Sequence, residues 1–296
     1  MKWLIYGFHM PIFLGVSGYL FNRVNQSSLS LGAFFQRYWK RMLLPWLIAF
    51  VAFSAISGEF ATFAKIAMSI LRPHYHLWFV PVLFVFVLIA TRVKLPTTAL
   101  FVIALAVSVV GFALFGFPHY KGPLAGMTLP DDRYLTMAVF FFAGLWVSQR
   151  ATIPVLPASL LAIAGLGLWQ YEFWNADAVP TILAYVGLNL ALIATLPVLV
   201  ALPLRSSLLE FLGQDSLYFY LWHLFLFRVL TRLFQPFIGG WLLLALVFGV
   251  TMIVLLAARP ILARFPVLAL LSGVQPSAAT LASNPSSGPL PERAGH

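Results

Sequence analysis

Nine long apolar runs, separated by short polar breaks, fill almost the whole chain from Trp3 to Ala258. Hydrophobic residues make up 61% of the 296 residues and charged residues only 9%, whereas about a quarter of the residues in a soluble domain are charged. A soluble fold could not hide that much apolar surface from water. In lipid the same runs are stable, provided that each backbone amide is hydrogen-bonded within its own helix. The sequence therefore predicts an integral membrane protein.

The apolar runs are continuous rather than alternating, which favours helices over the strands of a membrane barrel. We predict an all-α, polytopic helix bundle of about nine transmembrane helices. Four prolines inside the runs should start or kink helices. Residues 1–265 should form one transmembrane domain, and the polar residues 266–296 a disordered tail. The predicted spans are approximately 3–21, 42–57, 77–91, 97–117, 135–149, 153–173, 181–202, 216–235 and 238–258, and the prolines are Pro11, Pro45, Pro81 and Pro197.

The formal net charge of +10 is spread over span ends and short loops, whereas a nucleic-acid site needs one dense basic face. We therefore expect no nucleic-acid partner. Placing the loop after the first span in the cytoplasm puts most of the basic residues there, as the positive-inside rule requires. This predicts an external amino terminus and a cytoplasmic carboxyl terminus. The absence of cysteine excludes disulfides, thiolate nucleophiles and cysteine-ligated metal, and no metal site is predicted.

Two polar groups near the start of the chain could carry chemistry. His9 lies inside the first span, where a histidine usually faces a polar cavity or a partner, although a packing role is equally open. Arg37, Lys40 and Arg41 precede the second span at helical spacings of three and four residues, which predicts one cationic face. Such a face can clamp phosphates. It is also typical of a cluster that orients the chain and binds lipid headgroups.

Two further groups lie beside later spans. His76 precedes Trp78 and could line the mouth of a cavity or belong to an interfacial aromatic belt. Tyr220 and His223 are three residues apart and should share a helix face. Arg228 either pairs with a carboxylate, a carbonyl or an anionic ligand, or extends to the interface. The adjacent Asp131 and Asp132 are predicted to be solvated in a loop, and Asp215 to cap the helix of Tyr220.

Four segments in the same order resemble motifs of the acyltransferase 3 family of membrane O-acyltransferases, and the resemblance covers residues 3 to about 258. Phe8 to Phe13, with Ser17 to Leu20, resembles the second helix of that family. The other three similar segments are the basic stretch leading into Leu43-Leu44-Pro45-Trp46, the run His76-Leu77-Trp78-Phe79-Val80-Pro81, and Gly213 to His223.

The resemblance implies ten helices, here with the first expected to be lacking, and a location in the bacterial inner membrane. It implies transfer of an acyl group, commonly acetyl, from cytoplasmic acetyl-CoA or another acyl-CoA to a hydroxyl of a surface glycan or a lipid-linked sugar. Arg37, Lys40 and Arg41 match basic positions that hold the CoA phosphates. The family's catalytic arginine and histidine would precede Met1, which leaves His9 and His76 as catalytic candidates. Trp78, Tyr220, His223 and Arg228 are expected to line the substrate pocket.

Two other functions remain open from the residues alone. A transporter or flippase would place its few buried polar residues at a site near the middle of the membrane. A non-catalytic membrane scaffold would need no such site.

Overall fold

The computed structural model describes residues 2–58, 62–73, 76–117, 120–125, 127, 131–150, 155–175, 178–202 and 206–275. The structure is an all-α membrane helix bundle, as predicted, with one minimal pair of two-residue antiparallel strands. The helices are α1 Lys2–Tyr19, α2 Arg23–Ser27, α3 Leu31–Tyr38, α4 Leu44–Ser57, α5 Phe63–Leu71, α6 Phe79–Arg92, α7 Thr97–Phe115, α8 Arg133–Thr136, α9 Ala138–Val147, α10 Val155–Asn175, α11 Ala178–Ala194, α12 Leu196–Ala201, α13 Ser207–Gln214, α14 Ser216–Phe234, α15 Gly240–Arg264 and α16 Pro266–Ser272; the strands are β1 Gly116–Phe117 and β2 Tyr120–Lys121.

Each of the nine predicted runs coincides with at least one helix. Within the described residues, five helices are both long and apolar enough to cross a membrane. Two shorter apolar helices, Phe79–Arg92 and Arg133–Val147, lie in two more of the predicted runs. The total of nine spans therefore stays a prediction. The five long helices are Leu31–Ser57, Thr97–Phe115, Val179–Ala201, Ser216–Phe234 and Gly240–Arg264.

The predicted single domain consists of two compact units. Unit 1 comprises Met1–Phe34 and Ala67–Leu204, and unit 2 comprises Phe35–Ile66 and Arg205–His296. In unit 1, α1 packs on α9 and α11, and α10 pairs with α11. In unit 2, α14 and α15 pack together, and α16 contacts α4 and α15.

The prediction of a disordered tail from residue 266 is wrong for residues 266–275. Pro266 starts α16 in its first turn, and the side chains of Ala269 and Val274 are buried. The carboxylate of Asp215 accepts a hydrogen bond from the backbone N–H of Gln275 at 2.8 Å. A short apolar stretch at the start of the tail therefore joins unit 2. Residues 276–296 lie outside the described part of the chain.

Three of the four span prolines lie in the first turn of a helix. These are Pro45, Pro81 and Pro197 in α4, α6 and α12, although Pro45 and Pro197 also fall inside the longer continuous helices Leu31–Ser57 and Val179–Ala201. Pro11 is different because it lies inside α1.

Pro11 cannot donate to the carbonyl of Gly7, four residues earlier. The side-chain amide of Asn189, on α11, donates to that carbonyl at 2.8 Å instead. Asn189 is fully buried, and its amide also donates to the carbonyl of Tyr185 at 2.8 Å. A side chain thus replaces the hydrogen bond that the proline removes, as lipid-embedded backbone requires.

Glycines allow α1 and α9 to touch backbone to backbone. A Cβ on Gly18 would overlap the carbonyl oxygen of Phe141, and a Cβ on Gly144 would overlap the carbonyl oxygen of Gly15. Small residues give this close approach in membrane helix pairs, where van der Waals packing holds the helices together. The first helix of unit 1 is therefore fixed against α9.

Candidate functional site

The predicted pocket residue Trp78 lies in a buried polar cluster of unit 1, together with Asp131, just before α8, and Arg133, the first residue of α8. The guanidinium of Arg133 lies 4.9 Å from the centre of the Trp78 ring. The same guanidinium binds both carboxylate oxygens of Asp131, through Nε at 2.7 Å and Nη2 at 2.6 Å. His76 is itself buried and lies two residues before Trp78. A fixed cation, an aromatic ring and a histidine thus occur at the start of α6.

The prediction that Asp131 is solvated is wrong, since its exposed fraction is 1%. Its carboxylate also accepts a hydrogen bond from the backbone N–H of Arg133 at 3.0 Å. Three hydrogen bonds from one residue therefore compensate the desolvation of the charge. Asp132 contacts Arg72 at 3.7 Å and is much more exposed. Composition alone could not separate the two neighbouring aspartates.

His9 lies on the open face of α1. Its side chain is partly buried, and Phe13, one turn later, is exposed, as is Leu20 on the same face. The opposite face carries Gly7 and Gly15, which pack on α10 and α11. His9 and His76 both belong to unit 1, on α1 and directly before α6 respectively.

Arg37, Lys40 and Arg41, which the resemblance assigns to the acyl donor, are called the donor segment here. All three belong to unit 2 and are exposed. Arg37 lies at the end of α3, whereas Lys40 and Arg41 lie in a π-helical turn, Trp39–Leu43, that leads into α4. None of the three forms an ion pair within the part of the chain that the structure describes. The prediction assumed α-helical spacing throughout. The wider π turn, a feature that is frequent at functional sites, shifts Lys40 and Arg41 around the axis relative to Arg37.

Tyr220 and His223 lie together on α14, as their spacing predicts. Their ring centres are 6.4 Å apart. The Nδ1 atom of His223 lies 2.8 Å from the carbonyl oxygen of Phe219 and 2.9 Å from that of Tyr220. Because carbonyl oxygens only accept, Nδ1 carries the hydrogen, and Nε2 is the acceptor of the neutral ring. Arg228, one turn beyond this pair, is partly buried on the same helix.

Asp215 is a buried charge whose role differs from the predicted one. It is fully buried and makes no side-chain cap for α14. Its carboxylate instead accepts from Nε of Arg259 at 2.7 Å and from the backbone of Gln275. The segment from Gly213 to His223 was recognisable in the sequence. No local pattern in it connects Asp215 with Arg259, its partner 44 residues away.

All of the predicted site residues described above lie within one known family domain. The model of the Acyl_transf_3 family, an acyltransferase domain, matches residues 1–259. The chain belongs to the acyltransferase 3 family. No curated protein and no solved structure matches the chain. With its apolar helices, this acyltransferase 3 protein is a membrane acyltransferase.

In this acyltransferase 3 protein, two kinds of polar site can be separated by their exposure. The donor-segment cations are open and suit a large, highly charged ligand that arrives from water. The cluster of Asp131, Arg133 and Trp78 is buried and suits a small polar group or the positioning of a neighbour such as His76. The family match includes all of these residues.

Proposed function

We propose that this membrane acyltransferase transfers an acyl group, in the simplest case acetyl, from acyl-CoA to a hydroxyl group of a surface glycan or a lipid-linked sugar. The observation that carries the proposal is the exposed donor segment of Arg37, Lys40 and Arg41, which has no ion pair among the described residues. Three open cations at the start of a membrane span are suited to an anionic donor in the cytoplasm.

The phosphates of coenzyme A supply the charge that the donor segment can bind. Arginine binds two phosphate oxygens in parallel, and lysine adds a compact positive charge. Because the three side chains are exposed, they bind the donor without first breaking internal contacts.

The transfer itself needs a base near the acceptor hydroxyl. The base takes the hydroxyl proton while the oxygen attacks the thioester carbonyl, the carbon–sulfur bond breaks, and the CoA thiolate leaves and is protonated. A cation or a dipole stabilises the oxyanion that forms on the carbonyl. We assign His9 and His76, both in unit 1, as the candidate bases. The candidate acceptor residues are considered within each unit separately: Trp78 in unit 1, and Tyr220, His223 and Arg228 in unit 2.

The donor role is tested with labelled acetyl-CoA in membranes that contain the protein. The double variant Arg37→Ala/Arg41→Ala should raise the KM for acetyl-CoA by about a hundredfold, since each charge-assisted hydrogen bond contributes about 1.5–3 kcal/mol. The matched control is Lys94→Ala/Arg264→Ala, which removes two other exposed cations and should leave the KM unchanged. Equal KM values in the two double variants, with equal amounts of protein in the membrane, would refute the donor role.

The assignment of the base is tested separately at saturating acetyl-CoA. Substitution of the true base should lower kcat by about a hundredfold or more, the usual contribution of general base catalysis. His9→Ala and His76→Ala are compared with His223→Ala, whose residue is assigned to the pocket and should mainly raise the KM for the acceptor. Full kcat in both His9→Ala and His76→Ala would exclude both residues as the base and leave the donor assignment standing.

A further inference from the structure

Two arginines that are assigned no role above, Arg23 and Arg92, both make hydrogen bonds near the end of α6 in unit 1. Arg23, the first residue of α2, donates from Nε to the carbonyl of Ala90 at 2.8 Å and from Nη2 to the carbonyl of Val93 at 2.6 Å. Arg92 donates from Nη1 to the carbonyl of Leu29 at 3.1 Å. Neither arginine forms an ion pair with any carboxylate in the described ranges. In the described residues, the charges of both arginines are therefore compensated by carbonyl oxygens and, for Arg92, by an aromatic ring, but by no carboxylate.

Arg92 is held rigidly but is only partly satisfied. One face of its guanidinium lies over the ring of Phe34, 5.3 Å from the ring centre. Its Nε and Nη2 atoms are buried, and no acceptor among the described residues lies within hydrogen-bond distance of them. Buried donors without an acceptor are strongly unfavourable, more so when they carry charge.

The two donors without an acceptor in the described residues, Nε and Nη2 of Arg92, indicate the kind of ligand that fits here. Nε and Nη2 form one edge of the guanidinium, and the parallel hydrogens on such an edge bind two oxygens of one phosphate or carboxylate. Nη1 and Phe34 fix the orientation of that edge.

The surroundings favour phosphate as the anion. No protein carboxylate reaches the arginine pair in the described residues. Two apolar side chains that flank the site along the chain, Val24 and Leu31, are 78% and 53% exposed, as is expected beside acyl chains at a lipid interface. We propose that the Nε–Nη2 edge of Arg92 binds a phosphate group, supplied by a phospholipid headgroup or by a soluble phosphate.

The proposal is tested by binding, without any acyl transfer, so its outcome does not depend on the acyltransferase reaction. Purified full-length protein is reconstituted in phosphatidylcholine nanodiscs with or without phosphatidylglycerol, and the lipids that stay bound are counted by native mass spectrometry. A second arm measures the thermal shift in detergent with inorganic phosphate. Arg92→Lys retains the positive charge but loses the two parallel N–H donors of the guanidinium edge. Lys94→Gln removes an exposed charge two residues away and serves as the control.

The expected result is a loss of about tenfold or more in phosphate affinity for Arg92→Lys in at least one arm, with Lys94→Gln close to the parent protein. Loss in the lipid arm identifies a headgroup, and loss in the soluble arm identifies a free phosphate. If Arg92→Lys does not accumulate in membranes, the same comparison is made with Phe34→Leu, which removes the ring under the Arg92 guanidinium and should weaken phosphate binding in the same arm. Binding that is equal in all variants, or lost equally in both, would overturn the proposal, as would no binding in either arm.

Discussion

Asp131 and Asp132 are neighbours in sequence with opposite environments. The carboxylate of Asp131 is fully buried and binds Arg133 through two side-chain hydrogen bonds. The pair of Asp132 and Arg72 is longer, at 3.7 Å, and its side chains are 28% and 41% exposed. Breaking a buried pair leaves an uncompensated charge, whereas an exposed pair contributes little because water screens it.

We therefore predict that Asp131→Asn lowers the free energy of unfolding by about 3 kcal/mol, and that Asp132→Asn lowers it by less than 1 kcal/mol. The measurement is reversible unfolding of the two variants in detergent, followed by tryptophan fluorescence. Each substitution removes one charge with the same change in shape, so the variants control for each other. Similar losses in both would mean that the burial of Asp131 does not matter to stability.

The hydrogen bond from Asn189 to the Gly7 carbonyl gives a second prediction for single residues. Asn189→Leu should destabilise the protein by about 1–2 kcal/mol, the range of hydrogen bonds between membrane helices. The effect should shrink when Pro11 is replaced by Ala, because an N–H at position 11 can then donate to Gly7 within the helix. A double-mutant cycle of Pro11→Ala and Asn189→Leu measures this coupling. Additive effects would show that the two residues do not share one carbonyl.

Individual helices show what patterns in the sequence can and cannot predict. Continuous apolar runs identified the helices correctly, because helix formation in lipid depends mainly on length and hydrophobicity. The π turn Trp39–Leu43 and the packing of α16 were missed. The packing of α16 depends on contacts with α4 and α15 rather than on local composition.

The approach of α1 to α9 allows a prediction for one pair of elements. Gly18→Ala should destabilise the protein by about 2 kcal/mol or more, since its Cβ would overlap the Phe141 carbonyl. Gly187→Ala, on α11, is the matched control because no atom lies within 4 Å of its Cβ position. It should be neutral, or stabilising by up to about 1 kcal/mol. Thermal unfolding in detergent compares the two, and equal melting temperatures would contradict the close contact.

At the scale of the whole molecule, hydrogen bonds show which cations share one end of unit 1. Arg23 binds carbonyls at the end of α6, and Arg92 binds the carbonyl of Leu29. Thr97, at the start of α7, donates to Gln149 at the end of α9 at 2.6 Å. These contacts place Arg23, Arg92, Lys94 and Arg150 at one end of unit 1, the end that the positive-inside rule assigns to the cytoplasm. That this end faces the cytoplasm stays a prediction.

The absence of cysteine allows a direct test of sidedness with single introduced cysteines. Ser28→Cys and Lys94→Cys should react with a membrane-impermeant maleimide only after the cells are lysed. Lys121→Cys, beyond α7, should react in intact cells. All three native residues are exposed, so burial does not limit labelling. The reverse pattern would place the loop after α1 outside the cell and would remove the basis for a cytoplasmic donor at Arg37.

The candidate site could be predicted in part. The sequence singled out His76 and Trp78, and correctly predicted that Tyr220 and His223 lie together on one helix. That these residues form the site stays a prediction. The sequence did not predict that Arg133 lies against Trp78 or that Arg259 pairs with Asp215. Such partners are separated by tens of residues, and only the packing of helices brings them together.

The replacement of a backbone hydrogen bond by Asn189 has a consequence for biosynthesis. The Gly7 carbonyl leaves the ribosome 182 residues before its partner, which amounts to roughly ten to forty seconds at about 5–20 residues per second. During that interval the helix has a polar defect that lipid alone cannot satisfy. The amino-terminal segment must therefore remain beside water or the insertion machinery until α11 is made, and its final seating is a late step of assembly.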